Sequence, residues 1–105
     1  MHSDPIGGEG SVVEIDETLF SKRKNQKGRL LPEQWVFGGI CRQTKEVFLI
    51  AVPDRTEKTL LDCITAKIKP KTTIISDCWA SYKNISLLKD YDYTHFTVST
   101  TQKIL

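Results

Sequence analysis

The sequence predicts a small α/β domain with a mixed sheet, in the order β-β-β-α-β-α-β. Three observations lead to this class: segments in which apolar and polar residues alternate, segments with apolar residues at helical spacing, and a helical segment placed between two strands. The chain has 105 residues, enough for one domain with a modest core. Its 39% hydrophobic and 27% charged residues are typical of a globular protein rather than a disordered or membrane chain.

The first three strands are predicted before the first helix. VVEIDETLF (12–20) has a strand pattern that carries three carboxylates, and EQWVFGGICRQ (33–43) alternates between two faces. EVFLIAVP (46–53) is a nearly continuous apolar run, and so few residues precede it that a hairpin to the strand before is expected. The pair Gly38-Gly39 predicts a bulge or a close approach by another backbone.

The second half of the chain changes period twice. Residues 54–70 form a predicted helix, capped by Asp54 or Thr56 and closed by Pro70, and residues 71–77 return to strand character. The apolar stripe of this helix consists of Leu60, Leu61, Ile64 and Ile68. A second, less regular helix is predicted over 78–91, followed by a strand over 93–100. Its expected buried face consists of Trp79, Tyr82, Ile85 and Leu88.

Two aspartates are candidates for a metal site. A strand that follows a crossover helix should run parallel to a strand already in the sheet, and the first strand is the central candidate. Asp77, at the end of its strand, would then lie within a few ångströms of Asp16. Such carboxylates repel each other unless a cation lies between them, and Mg²⁺ or Mn²⁺ suits oxygen ligands. The alternative is that Asp77 caps a helix and Asp16 is a surface residue.

The neighbouring polar residues have less specific interpretations. Glu14 shares a face with Asp16 and could either support a metal site or lie at a solvated edge. Glu17 points to the opposite face, so we do not expect it to be a ligand. Packing explains Tyr82 better than base stacking does, and His95 fits a hydrogen-bonded structural role. Helix capping accounts for Arg55 and Thr56.

A basic segment follows the acidic first strand. SKRKNQKGR (21–29) carries five cations and no acid, whereas residues 1–20 carry five acids and no Lys or Arg. The five cations are Lys22, Arg23, Lys24, Lys27 and Arg29. Such a run is either a solvated, flexible connection or a DNA-binding patch that contacts phosphates without reading bases.

The remaining features concern the compartment. No apolar run approaches the length of a membrane span, and the N-terminus lacks the basic and apolar regions of a signal peptide. We therefore expect an intracellular protein, nuclear in a eukaryote, without a membrane partner. Three widely spaced cysteines, Cys41, Cys63 and Cys78, form no CxxC pair and are expected to be reduced, mostly buried thiols.

Four segments together resemble the catalytic domain of DDE transposases of the Merlin group, which are related to bacterial insertion-sequence transposases. They are VVEIDETLFSKRKNQKGR, QWVFGGICRQT, VPDRTEKTLL and TTIISDCWASY, and the resemblance runs from Gly7 to Val98. It implies a ribonuclease H-like fold and DNA as the partner. It also implies that Asp16 and Asp77 are the first two metal-binding catalytic carboxylates, in two-metal phosphoryl transfer with Mg²⁺ or Mn²⁺.

The sequence departs from this family after Val98. The family continues with a helix that carries a third metal ligand, for which STTQKIL (99–105) offers no counterpart. We therefore expect an N-terminal tail at 1–11, a partial ribonuclease H-like domain at 12–98, incomplete at its C-terminus, and a divergent tail at 99–105. One hypothesis is a transposase fragment, inactive alone, whose missing helix comes from a homo-oligomer partner or a longer isoform. The other is a non-catalytic relic or domesticated domain that binds DNA through the basic segment.

Overall fold

The described residues form a five-stranded mixed sheet with one α-helix on one face. The computed structural model describes residues 4–23, 30–77, 82, 84–88 and 90–98. The strands lie side by side in the order β3-β2-β1-β4-β5, and the predicted α/β class is confirmed. The elements are β1 (Val12–Arg23), β2 (Leu30–Cys41), β3 (Val47–Val52), α1 (Glu57–Lys67), β4 (Thr73–Ser76) and β5 (Thr94–Thr97).

The first three strands form an antiparallel meander. β2 pairs with β1 on one side and with β3 on the other, and the predicted hairpin between β2 and β3 is present. Gly39 lies within a regular part of the register, so the structure has no bulge here, and the nearest neighbour is a side-chain ring rather than another backbone. A Cβ atom on Gly39 would lie 2.7 Å from the ring of Phe48, which explains why this strand position has no side chain.

Helix α1 makes the crossover from β3 to β4, which runs parallel to β1 as predicted. Thr56 is the N-cap, and its side chain accepts a hydrogen bond from the N–H of Thr59. Asp54 supports this cap because its Oδ1 accepts from the N–H and the hydroxyl of Thr56, at 3.0 and 2.7 Å. The helix ends at Lys67, before Pro70.

The hydrophobic core lies between α1 and one face of the sheet, which we call the core face. Its buried side chains include Val13, Ile15, Phe37, Phe48, Val52, Leu60, Ile64, Ile68 and Ile74. Ile6 joins them, with 1% of its surface exposed, and its backbone exchanges hydrogen bonds with Lys67 and Lys69. The boundary drawn at residue 12 from the sequence therefore leaves out a residue that packs into the core.

The other face, which we call the open face, is also largely apolar. The strand registers place Val47, Ile40, Glu14, Ile75 and Phe96 in one row across all five strands. Phe96 is 57% exposed, and Leu49, on the same face of β3 as Val47, is 52% exposed. Apolar side chains on this face are thus in contact with solvent among the residues that the structure describes.

The segment between β4 and β5 corrects the prediction of a second α-helix over 78–91. Its described residues contain a 3-10 helix at Ile85–Leu87, and Asn84 before it donates a hydrogen bond to Glu57 of α1, at 2.7 Å. Asn, Ser and β-branched Ile are weak helix formers, and the hydrogen bond of Asn84 ties the described part of this segment to α1. Tyr82 and Ile85 are buried as predicted, Leu88 is partly buried, and Trp79 lies outside the described residues.

Two further predictions concern the cysteines and the membrane. Cys41 and Cys63 are free thiols, and Cys41 is buried, as predicted, while Cys63 is partly buried. Cys78 lies outside the described residues. Within the part of the chain that the structure describes, no helix is long and apolar enough to cross a membrane.

Candidate metal centre

Asp16 and Asp77 meet where β4 ends. The parallel pairing of β1 with β4 matches Glu14 with Ile75, and the same register continued by two residues places Asp16 opposite Asp77. Carboxylate oxygens of these two residues and of Glu17 all lie within 4.8 Å of one another. The structure therefore brings together the two carboxylates that the sequence pairs across 61 positions, and adds a third.

The third carboxylate, Glu17, lies on the face of β1 opposite Asp16, as strand alternation predicts, and still reaches the pair. Its side chain is only 4% exposed, on the side of β1 that meets the core. The guanidinium of Arg55 donates to one carboxylate oxygen at 2.9 Å, and the hydroxyl of Tyr82 donates to the other. Because β1 passes the end of β4 at this point, side chains from both of its faces reach the same place as Asp77.

Hydrogen bonds restrain the carboxylate of Asp16 and the peptide carbonyl of Asp77. Oδ1 of Asp16 accepts a hydrogen bond from the N–H of Glu17, at 2.8 Å. The carbonyl of Asp77 accepts from the hydroxyl of Ser76 at 2.9 Å, and that hydroxyl also lies 2.7 Å from Nε2 of His95. This contact confirms the structural role predicted for His95. Burial lowers the pKa of its imidazole, which favours the neutral form.

The electrostatics of the cluster are dominated by burial. Desolvation raises the pKa of Glu17, and the nearby Asp77 and Asp16 charges act in the same direction. The hydrogen bond from Tyr82 and the charge of Arg55 oppose this shift. Burial and the contact with Glu17 also raise the pKa of the Tyr82 phenol, so Tyr82 is the proton donor of this hydrogen bond.

Arg55 contacts the acidic cluster, a role that the sequence interpretation missed. Its guanidinium lies over the ring of Trp35, 4.5 Å from the ring centroid, while it pairs with Glu17. We assigned Arg55 to helix capping, whereas Thr56 caps the helix and Arg55 contacts the acidic cluster. The signal that could have found it is Glu17 itself, because a buried carboxylate in a strand requires a cation or strong donors.

Glu14 and the basic segment lie apart from this cluster. Glu14 pairs with Arg42, which is more than half exposed, on the open face of the central strand rather than at an edge of the sheet. Lys22 and Arg23 belong to the end of β1 rather than to a loop, because the ladder between β1 and β2 continues to Arg23 and Leu30. Lys24, Lys27 and Arg29 lie outside the described residues. DNA binding by all five remains a prediction.

The donor set fits a hard divalent cation. Mg²⁺ and Mn²⁺ prefer carboxylate oxygens, and Mg²⁺ is usually held by one or two carboxylates while other ligand positions remain for water or phosphate. Asp16 and Asp77 supply such oxygens from two adjacent strands of a rigid sheet. Within the described residues, the cluster therefore has the chemistry of a magnesium or manganese site.

Solved structures similar to this chain include catalytic core domains of integrases and an intasome. The core domain of BIV integrase matches with a TM-score of 0.58 and 14% identity, over 87% of this chain and 56% of that one. The HTLV-2 integrase core in complex with magnesium, in its trimeric form, gives 0.60 and 13%, over 86% and 60%. The simian T-cell lymphotropic virus intasome in complex with the PP2A regulatory subunit B56 gamma gives 0.57 and 16%, over 93% and 37%.

These structures confirm the ribonuclease H-like fold. The chain spans less than two thirds of the length of each of the three. No curated protein matches the sequence. A family model, by contrast, matches residues 6–104, nearly the whole sequence, and its description is the ISXO2-like transposase domain. The chain, with its acidic cluster at the end of β4, therefore belongs to the ISXO2-like transposase domain family of DDE transposases.

Proposed function

We propose that this chain is part of the catalytic domain of a DDE-type transposase, and that Asp16 and Asp77 bind the Mg²⁺ or Mn²⁺ used in DNA cleavage and strand transfer. The observation that carries the proposal is the meeting of these two carboxylates on adjacent parallel strands, within 4.8 Å. Membership of a transposase domain family supports it independently, because it connects the site to reactions at DNA phosphates.

The residues of this chain have separate tasks in the proposed reaction. Bound metal would act as a Lewis acid toward phosphate oxygens and lower the pKa of bound water. Asp16 and Asp77 supply oxygen ligands, and their place in a sheet fixes the distance between them. The hydroxyl of Ser76 donates to the peptide carbonyl of Asp77 and also contacts Nε2 of His95, which ties the backbone at Asp77 to β5.

The finer assignment follows the sequence resemblance. We place the chain within the Merlin group and expect DNA and a homo-oligomer or longer isoform as its partners. The HTLV-2 integrase core is described with magnesium in a trimeric and a dimeric form, which supports a homo-oligomer and a bound metal by analogy. A transposase acts where chromosomal DNA is, so we expect an intracellular protein, nuclear in a eukaryote.

Because Asp16 and Asp77 are two ligands of a set of three, we expect the 105-residue chain to bind metal without cleaving DNA.

Metal titration tests the proposal. Millimolar Mn²⁺ should bind, as measured by loss of the free-ion signal in electron paramagnetic resonance, and Mg²⁺ should shift amide resonances near Asp16 and Asp77. Asp16→Asn and Asp77→Asn should each abolish binding, because each deletes a ligand charge. Asp62→Asn is the matched control, since Asp62 is an exposed acid on α1 that pairs with Lys58. Equal binding by Asp16→Asn and the parent chain would contradict the proposal.

The second candidate function is a non-catalytic domain that binds DNA through the basic segment. It is favoured by five cations in residues 22–29 without an acid among them. DNA affinity should then fall steeply with salt and show little sequence preference, because phosphate contacts release counterions without reading bases. DNA binding that survives in Asp16→Asn and is lost when Lys22, Arg23, Lys24, Lys27 and Arg29 are replaced by Gln would support it. Metal-dependent cleavage by the chain alone, lost in Asp77→Ala, would contradict it.

A further inference from the structure

We propose that Glu17 is a positioning residue for Asp16 rather than a third metal ligand. Its carboxylate accepts hydrogen bonds from Arg55 and Tyr82, which belong to two other parts of the fold. Its N–H donates a hydrogen bond to one oxygen of Asp16. This inference rests on the metal site proposed above, and it assigns different tasks to two adjacent acids of the same strand.

The first argument is that both carboxylate oxygens of Glu17 already have donors. Oε2 accepts from the guanidinium of Arg55, just before α1, and Oε1 accepts from the hydroxyl of Tyr82, in the segment after β4. The Tyr82 hydroxyl is buried, so a move of Glu17 toward a cation would leave that donor without its acceptor. Unsatisfied buried donors are costly, which favours the arrangement seen.

The second argument is the direct link to Asp16. The peptide N–H of Glu17 lies 2.8 Å from Oδ1 of Asp16. A side chain held by two other elements restricts the rotation of its own backbone, so this N–H stays directed at the aspartate. Groups that orient a metal ligand in this way normally contribute strongly to metal affinity.

The third argument concerns charge. Three carboxylates within 4.8 Å repel one another, and Arg55 places a positive charge 2.9 Å from Glu17. That pairing offsets the charge of Glu17, which reduces its repulsion of Asp16 and Asp77. Glu17 is therefore suited to a paired, fixed role beside the two aspartates.

The chain offers a matched pair of variants to test this. Tyr82→Phe removes the hydroxyl that holds Glu17, whereas Tyr93→Phe removes a comparable buried hydroxyl that donates to the carbonyl of Ile68 at 2.7 Å, away from the cluster. We expect Tyr82→Phe to weaken Mn²⁺ binding by about tenfold. Tyr93→Phe should leave Mn²⁺ affinity unchanged, and amide spectra of both variants check that they fold.

A second measurement works without metal. The amide proton of Glu17 is hydrogen-bonded to a carboxylate, so its chemical shift reports the contact with Asp16 directly. The shift should change in Tyr82→Phe and in Glu17→Gln, and remain constant in Tyr93→Phe. A chain that bound no metal would overturn the proposed function, while this shift would still decide whether Glu17 orients Asp16.

Two results would overturn the inference. If Glu17 is a ligand, Tyr82→Phe and Arg55→Met release its carboxylate, so Mn²⁺ affinity stays constant or rises, and Glu17→Gln abolishes binding as Asp16→Asn does. If Tyr82 has only a packing role, Tyr82→Phe and Tyr93→Phe alter Mn²⁺ affinity and the Glu17 amide shift to the same extent.

Discussion

The two faces of the sheet use the same strands for different purposes. On the core face, alternate residues of β1 to β4 pack against α1 and are almost fully buried. On the open face, the corresponding positions include exposed apolar residues such as Leu49 and Phe96. Glu14 and Asp16 of β1 lie on the same face, and Asp16 is buried. The contrast indicates that stability comes mainly from the core face, while the acidic cluster of Asp16, Glu17 and Asp77 forms where the two faces meet, at the end of β4.

The largest expected difference between the faces is in the effect of truncating one side chain. Ile64→Ala should lower the free energy of unfolding by about 2–5 kcal/mol, because Ile64 is fully buried and a cavity would remain. Leu49→Ala should change it by less than about 0.5 kcal/mol, because half of that side chain is exposed in the folded state. Urea unfolding of both variants measures the difference.

A similar loss for both variants would break the comparison. It would mean that the open face is packed in solution, for example against a second copy of the chain. Unfolding of Leu49→Ala at two protein concentrations would identify that case, because the stability of an associated form depends on concentration.

The sequence was sufficient for the five strands, for the parallel pairing of β1 with β4 and for the meeting of Asp16 with Asp77. These follow from period-two patterns and from the rule that a helical crossover returns to a parallel strand. The sequence was insufficient for the segment after β4, where the described residues include a 3-10 helix and Asn84 is hydrogen-bonded to Glu57 of α1. The limits of the basic segment also differed, because pairing with β2 extends β1 to Arg23.

The side-chain contacts of the site were the hardest to predict. Alternation correctly placed Glu17 on the face opposite Asp16, but it does not describe the end of a neighbouring strand, where side chains from both faces can converge. Arg55 and Tyr82 are 38 and 65 positions away from Glu17, and no local pattern connects them to it. Only the folded structure shows that these three residues form one hydrogen-bonded group.

A smaller effect is expected from pH, through His95 on β5. Burial lowers its pKa from the ordinary value of 6.5, so the unfolded chain binds a proton more readily than the folded one. Stability should therefore fall as the pH is lowered through about 6.5 toward the lowered pKa, and be insensitive to His95 above that range. Urea unfolding between pH 7.5 and pH 5, at steps of about half a unit, would show this decline.

His95→Gln is the control for this decline, since it removes the titrating group. Glu17 has the opposite sign, because its raised pKa makes the folded state bind protons more readily, so only the difference between the parent chain and His95→Gln isolates His95. A decline of equal size in both proteins would assign the pH dependence to other groups.

The smallest expected effect concerns the ion pair between Glu14 and Arg42 on the open face. Glu14→Gln should change the free energy of unfolding by less than about 1 kcal/mol, because both side chains are partly exposed. The change should shrink further in 1 M salt, where the Debye length is about 3 Å.

The same variant should weaken Mn²⁺ binding less than Asp16→Asn does, because Glu14 lies outside the cluster of Asp16, Glu17 and Asp77. Loss of metal binding equal to that of Asp16→Asn would instead place Glu14 in the proposed metal site and extend that site along the open face.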